Sequence, residues 1–302
     1  MIMESGSGTY KTKESFDFFC DQISAYYQPK EILSMIYMLF EEYLQMKKTD
    51  ILLYPDRVIS GSQLNNISRA IDDLKDYKPL QYIIGKANFF GMDFFVSPDV
   101  LIPRPETEEL VQWVIDDNES FNSGDEAREL NVLDIGSSSG CISISLKKNI
   151  HSSKVSGIDI NDAALSIARR NNELNNTDVD FFHFDIFNEK AWDQFPKYDI
   201  IVSNPPYIRE SERQQMSRNV LDYEPSQALF VSDDDPLIFY NTIIKFSQSH
   251  LKPSGKIYFE INEAFGEKMI RLLEDNGFLG IVLKKDVNGR DRMIRGGKLA
   301  VE

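Results

Sequence analysis

The chain has 302 residues and a formal net charge of −15, with 42% hydrophobic and 27% charged residues. That length suggests about two domains of an ordinary soluble globular protein, with no apolar run long enough to span a membrane and no basic-then-apolar start of a signal peptide. Strong acidity argues against bare nucleic acid as a partner, where cationic contacts with phosphate dominate, and favours a protein partner or a small substrate.

Residues 1–13 are polar and small and read as a frayed end. From Glu14 to about Leu74 apolar residues recur at helical spacing: Phe16, Phe19, Ile23 and Tyr26-Tyr27, then Ile32, Met35-Ile36 and Leu39-Phe40. Pro29 fits the first turn of the second helix. Ile51-Leu-Leu-Tyr54 is a short apolar piece ending at Pro55, and Ser62-Gln-Leu-Asn-Asn-Ile67 opens a further helix through Ile71 and Leu74. Residues 1–84 therefore read as a domain of four or five short helices, suited to packing alone or to docking a partner. Pro79 to Gly85 marks its boundary. Residues 85–103 form a linker, in which Ala87 to Val96 gives two short strands turning at Gly91-Met92. In Leu101-Ile-Pro-Arg-Pro-Glu-Thr107 two prolines hold Arg104 extended, and Thr107 is placed to cap the next helix.

From Asn131 short apolar strands alternate with helices, the pattern of an α/β doubly wound, mostly parallel sheet. The strands are expected at 131–135, 155–160, 179–184, 198–203, 256–261 and 278–284. The helices are expected at about 140–149, 162–174, 235–251 and 265–276. Cys20 and Cys141 make neither a disulfide framework nor a metal motif, and read as reduced thiols of a cytoplasmic protein.

Ligands of such sheets bind at the carboxyl ends of the strands, and four successive strand ends carry chemistry. Asn131-Val-Leu-Asp-Ile-Gly-Ser-Ser-Ser-Gly140 is strand, acid, glycine turn and helix start, where main chain can approach an anion closely. Asp159 ends the second strand and suits a ribose diol. Asp185 ends the third and can accept from an adenine amino group, with Ile186 or Phe187 against the base. Taken singly, a glycine turn after a strand is more often a mere connection, and each aspartate could be a loop or cap residue. The fourth strand runs into Asn204-Pro-Pro-Tyr207. Neither proline donates an N–H, and the residue before a proline is held extended. The Asn204 side-chain oxygen and nearby carbonyls can then grip both hydrogens of a planar –NH2 group, with the Tyr207 ring over its face. The same four residues also make an ordinary turn; their place in the ordered set favours the site.

With these residues the chain resembles the release-factor glutamine N5-methyltransferase family, also called HemK/PrmC, among class I S-adenosylmethionine-dependent methyltransferases. The likeness runs through the helical front domain, Pro79-Leu-Gln-Tyr82, Leu101 to Glu108, the glycine loop, Ser203 to Ile208, Tyr223-Glu-Pro225 and Asn288-Gly-Arg-Asp-Arg292. It implies a Rossmann-like, seven-stranded sheet over residues 104–302 behind the helical domain. It implies that S-adenosyl-L-methionine is bound by Asp134, Gly136, Ser137, Ser138, Ser139, Gly140, Asp159, Asp185, Ile186 and Asn204, and leaves as S-adenosylhomocysteine. Asn204 and the Pro205 carbonyl would hold the substrate amide, with Pro206 and Tyr207 shaping the slot. The implied substrate is the Gly-Gly-Gln loop of class I peptide chain release factors, docked by the helical domain of a monomer. Ser138 departs from the family's usual glycine, and a side chain there would crowd the cofactor or force a rare backbone angle. Ile186 is aliphatic where relatives can carry an aromatic.

The main rival reading is an adenine or cytosine amino methyltransferase of DNA or RNA, which would use the same grip on a flipped base. A small-molecule or ribosomal-protein methyltransferase and a catalytically silent scaffold share the fold. His151, His183 and His250 adjoin no motif and read as surface or packing residues. Asp233-Asp-Asp235 reads as an acidic loop before a helix, with no metal implied. Asn288 to Arg292 reads as a hairpin turn with flanking charges.

Overall fold

A computed structural model describes residues 8–121 and 128–299. The frayed end expected at residues 1–7 lies outside them. The chain forms two compact units, one running up to Gly85 with Ser217–Tyr223 added, the other spanning Lys86–Met216 and the chain from Glu224 onward.

The first unit holds β1 (Thr9–Lys11), α1 (Thr12–Gln22), α2 (Pro29–Leu44), α3 (Lys48–Leu53), β2 (Val58–Ser60), α4 (Gly61–Lys75) and α5 (Leu80–Ile84). Residues 9–11 are not frayed: β1 pairs antiparallel with β2, and the Thr12 hydroxyl donates to the Arg57 carbonyl at 2.8 Å. The helical periodicity is used as expected, with Phe16, Phe19, Ile36, Leu39, Phe40, Ile67 and Ile71 in one core. Pro29 opens α2, where its missing N–H costs nothing. Ile51 to Leu53 belongs to α3, and Pro79 to Gly85 contains α5 and ends where the first unit gives way to the second.

The second unit begins with the hairpin of β3 (Lys86–Phe89) and β4 (Met92–Phe95). Its turn is Phe90-Gly91, one residue earlier than expected. Both residues have positive φ, 51° and 73°, the mirror-image turn that matches the twist of a hairpin. Helix α6 (Pro105–Asp116) starts after Arg104, with Pro105 in its first turn. Thr107 does not cap it; its hydroxyl is drawn instead to a buried carboxylate on another strand.

Then follow β5 (Leu130–Ile135), α7 (Cys141–Asn149), β6 (Ser153–Asp159), α8 (Asp162–Leu174), β7 (Asp180–His183), β8 (Tyr198–Ser203) and β9 (Ile208–Arg209). Helix α9 (Arg218–Leu221) belongs to the first unit, where the Tyr223 hydroxyl donates to the Asp76 carbonyl at 3.0 Å. After it come α10 (Ser226–Leu229), β10 (Phe230–Val231), α11 (Ile238–His250), β11 (Leu251–Glu260), α12 (Gly266–Asp275), β12 (Leu279–Lys285) and β13 (Asp291–Gly297). Strand β13 is absent from the expected list, because its polar start and two terminal glycines hide the apolar Met293-Ile294 pair.

Seven strands form one sheet in the order β12-β13-β11-β8-β5-β6-β7. All pairs are parallel except those made by β13, which runs against both neighbours. The sheet is apolar on both faces, as a parallel sheet covered by helices must be. Val132, Ile200, Val202 and Tyr258 face α6, α7 and α8. Leu133, Ile201, Ile257 and Phe259 face α11 and α12. The chain leaves β5 toward β6 and β7, then returns to place β8 on the other side of β5. That reversal opens a crevice at the carboxyl ends of β5 and β8, where such sheets bind ligands.

Candidate active site

Ile135 and Ser203 are register partners at the ends of β5 and β8, and the Ser203 hydroxyl donates to the Ile135 carbonyl at 2.6 Å. The glycine loop and Asn204 therefore start side by side. They share a cavity of about 420 Å³, within the size range of small-molecule sites. Its wall includes Gly136, Ser137, Ser138, Ser139, Asp159, Asp185, Ile186, Asn204, Pro205 and Pro206. So ten of the sequence-selected residues converge. Asp134, Gly140 and Tyr207 do not line it.

The loop is shaped by its own main chain. The N–H groups of Gly136 and Ser137 donate to the Ile158 carbonyl at 2.9 and 3.0 Å, and Gly140 N–H donates to the Ser137 carbonyl at 2.7 Å. Gly136 and Gly140 adopt φ of 78° and 79°, which glycine tolerates best. Ser137 Oγ is buried with no hydrogen-bond partner among the described residues. A buried hydroxyl without a partner is costly, so a polar ligand group at this wall would satisfy it.

Ser138 does take a rare backbone angle, φ 49°. It gains something glycine would not. Its hydroxyl accepts from Leu101 N–H at 3.1 Å; its main-chain N–H, which a glycine would keep, donates to Asp159 Oδ2 at 2.8 Å. The serine thus ties the loop to the segment that also supplies Leu101, Pro103 and Arg104 to the wall. That segment is held again by Glu224, whose carboxylate accepts from Ile102 N–H at 3.3 Å and from the Arg104 guanidinium at 2.5 Å. Ser138→Gly removes one hydrogen bond and relieves roughly 1 kcal/mol of left-handed strain. Stability in a denaturant titration should then change by less than about 1 kcal/mol. Cofactor affinity by calorimetry should fall severalfold through the freed Leu101 segment; unchanged affinity would show that the tether does not shape the site.

Asp159 accepts from two main-chain N–H groups, Ser138 and Asn161, through separate oxygens. Burial raises its pKa, opposed by those N–H donors. Asp185 Oδ1 accepts from Phe187 N–H at 2.9 Å, and the Ile186 carbonyl accepts from the Trp192 indole at 2.9 Å. Both strand-end acids are thus preset in direction, and Phe184, Ile186 and Phe187 give apolar wall beside Asp185.

Three expected positions lie off this wall. Asp134 is fully buried behind the loop, where Oδ2 accepts from Ser143 N–H at 3.2 Å and from the Ser143 hydroxyl. Burial pushes its pKa up to about 7, against the Ser143 hydrogen bonds. It braces the start of α7 from below. Gly140 is packed against Phe181, Ile144 and Ala168, and its part is to let α7 start close to the sheet. Tyr207 sends its hydroxyl to Glu260 Oε1 at 2.9 Å, because a largely buried hydroxyl needs a partner and this carboxylate offers one.

The sequence reading missed Thr107 and Glu260. Glu260 is 1% exposed at the end of the apolar run Ile257-Tyr-Phe-Glu260. A carboxylate ending such a run was the available signal. Its Oε2 accepts from the Thr107 hydroxyl at 2.6 Å, and Asn204 Nδ2 lies 3.3 Å from that same hydroxyl oxygen. Burial raises the Glu260 pKa, opposed by Thr107, Tyr207 and the Arg292 charge. Arg292 itself is directed inward, to Asp286 Oδ2 at 3.2 Å and the Ile261 carbonyl at 3.3 Å. This gives the Asn288 to Arg292 hairpin an electrostatic part in the site's support.

No histidine lines the cavity. Cys141 does, and burial pushes its thiol up to about 12, away from the thiolate that nucleophilic chemistry needs. Asp233 accepts from Ser211 N–H at 3.0 Å. Among the described residues no group of three or more His, Cys, Asp or Glu could hold a metal ion, and no helix is long and apolar enough to cross a membrane.

Comparison with known proteins shows the family. Residues 121–224 match the Methyltransferase small domain family and residues 20–85 the PrmC N-terminal domain. A release factor glutamine methyltransferase of Flavobacterium psychrophilum is 43% identical over 277 residues, covering 92% of this chain and 95% of its own. One of Bacteroides thetaiotaomicron is 43% identical over 272 residues, covering 90% and 95%. Among solved structures, a human methyltransferase 10 domain containing protein is 17% identical with a TM-score of 0.50, over 70% of this chain and 91% of its own; it shares the fold.

Proposed function

The chain belongs to the release factor glutamine methyltransferase family, and from that premise we propose that it moves a methyl group from S-adenosylmethionine to the side-chain amide nitrogen of the glutamine in the Gly-Gly-Gln motif of class I peptide chain release factors. One observation carries the reading: the register of Ile135 with Ser203 sets the glycine loop and Asn204 in one cavity. Gly136 to Ser139 and Asp159 would hold the amino-acid and ribose parts of the cofactor. Asp185 and Ile186 would frame its adenine. The partnerless Ser137 hydroxyl, the two oriented acids and the apolar wall fit that molecule. When bound, the cofactor supplies an electrophilic methyl on a sulfonium.

An amide nitrogen is a poor nucleophile, because its lone pair is delocalised into the carbonyl. The chain's task is therefore alignment and polarisation rather than strong-base chemistry. Asn204 Oδ1 and the Pro205 carbonyl would accept the two amide hydrogens and stabilise positive charge growing on nitrogen, as preorganised dipoles do. Tyr207 would buttress this corner from the Glu260 side rather than cover the amide. The helical unit would dock the release factor, as its match to the PrmC N-terminal domain suggests.

The test is incubation of the purified protein with S-adenosylmethionine and a class I release factor from the same cell, followed by peptide mass spectrometry. A single methyl on the Gly-Gly-Gln glutamine is expected. Methyl transfer to DNA or RNA instead would overturn the substrate and leave the amine chemistry intact.

A further inference from the structure

A side-chain amide can point either way, and the two ends differ only by which atom donates. The grip proposed for Asn204 works in one orientation alone, with its oxygen presented to the substrate's hydrogens. Something must set that orientation. Within its own unit, Asn204 has one side-chain partner described at hydrogen-bond distance: Thr107 Oγ1 at 3.3 Å. A threonine hydroxyl can donate or accept, so by itself it would not choose between the two ends.

Glu260 removes the choice. In its ionised form, which the Thr107 and Tyr207 hydrogen bonds and the Arg292 charge favour against burial, the carboxylate only accepts, and Oε2 lies 2.6 Å from Thr107 Oγ1. The single threonine proton is committed to it. Thr107 Oγ1 can then only accept, and the Asn204 group facing it must be the NH2. The other carboxylate oxygen takes the Tyr207 hydroxyl at 2.9 Å, so both Glu260 oxygens are engaged. Arg292, one strand away and bonded to the Ile261 carbonyl at 3.3 Å, offsets the cost of a buried negative charge. Thr107 lines the cavity and Glu260 does not.

Resting on the function proposed above, we infer that Glu260 is a positioning residue: through the Thr107 hydroxyl it locks the Asn204 carboxamide with its oxygen free for the substrate amide. The Leu101 to Thr107 segment, the Asn204-Pro-Pro-Tyr207 corner and β11 thereby meet at one carboxylate. The chain of roles is directional: Glu260 commits Thr107, Thr107 commits Asn204, and Asn204 meets the substrate.

Thr107→Val tests this, because valine keeps the shape and removes the hydroxyl. Turnover on the release factor should fall roughly tenfold, the worth of one ordinary hydrogen bond. The cofactor dissociation constant should stay within about twofold, and Thr107→Ser should recover most of the rate. A residue that merely packs would give no such split and no such recovery. Orientation is read separately and without substrate, from solvent exchange of the Asn204 carboxamide protons by NMR, assigned by their loss in Asn204→Ala. Exchange should be slow in the wild type and fast in Thr107→Val. Equal exchange in the two, or Thr107→Val turnover within about twofold of wild type, would overturn the relay. A wild-type protein that shows protected carboxamide protons but methylates no release factor would keep the relay and overturn the substrate.

Discussion

Asn204→Ala should lower kcat for methyl transfer by about 10²–10³-fold, the usual loss when one preorganised partner of a developing charge is removed. The cofactor dissociation constant should move by no more than about threefold. The asymmetry follows from what surrounds each group. The proposed cofactor contacts would be spread over the glycine loop, Asp159 and Asp185, all preset by main-chain hydrogen bonds that do not involve Asn204. In the proposed reading the substrate amide is held by the Asn204 and Pro205 corner, and the described cavity wall offers no histidine to act as base. Alignment can be worth up to roughly 7–11 kcal/mol when reacting atoms are held well, and alanine forfeits part of that. Asn204→Asp, of the same shape, should not rescue. Its carboxylate would face a threonine oxygen whose proton is held by Glu260 at 2.6 Å, leaving two acceptors in contact and two acids near one hydroxyl. Steady-state rates with calorimetric cofactor titration decide the matter. A kcat within about tenfold of wild type for Asn204→Ala would mean that the amide is held elsewhere.

What could be read from the sequence was local. Strand ends are legible because a polar residue stops an apolar run, which is how Asp159, Asp185 and Asn204 were found and why they meet at one cavity. Helix α4 announces itself by its helical period and strand β8 by a short continuous apolar run. What could not be read depended on distant partners. Thr107 looks like a cap because threonine caps helices, yet Glu260, 153 residues away, competes for its hydroxyl and wins with a charge. Asp134 looks like a ligand because it precedes the glycine turn, yet strand alternation and the Ser143 bonds turn it under the loop. Tyr207 was expected over the substrate because an aromatic beside an amide suggests stacking; its hydroxyl, invisible to that argument, sets its direction. Strand β13 was lost because its polar start conceals a two-residue apolar signal that only the neighbouring β11 and β12 complete.

Gly136 and Gly140 share nearly the same backbone angle, yet alanine should have opposite consequences at the two. A left-handed alanine costs roughly 1–2 kcal/mol at either position, less about 0.4–1 kcal/mol recovered through a stiffer unfolded chain. At Gly136 no described residue beyond its two chain neighbours lies within 4 Å of the added carbon, so the loss of stability should stop near 1 kcal/mol. At Gly140 the added carbon would sit 2.9 Å from the Phe181 ring, 3.1 Å from Ile144 and 3.2 Å from Ala168. Phe181 and Ile144 are core residues of the α6–α8 face, and overpacking of this kind adds about 1–3 kcal/mol. Gly140→Ala should therefore lose about 2–4 kcal/mol in all. Cofactor affinity should order the other way. Gly136 lines the cavity and Gly140 does not, so the Gly136 methyl takes ligand space and should weaken binding roughly tenfold or more. Folded Gly140→Ala should bind within a few-fold of wild type. Denaturant titration and calorimetry on both variants give a crossed pattern if the loop holds the cofactor at Gly136. Parallel losses in the two would mean that both glycines serve the fold alone and that the cofactor sits away from this turn.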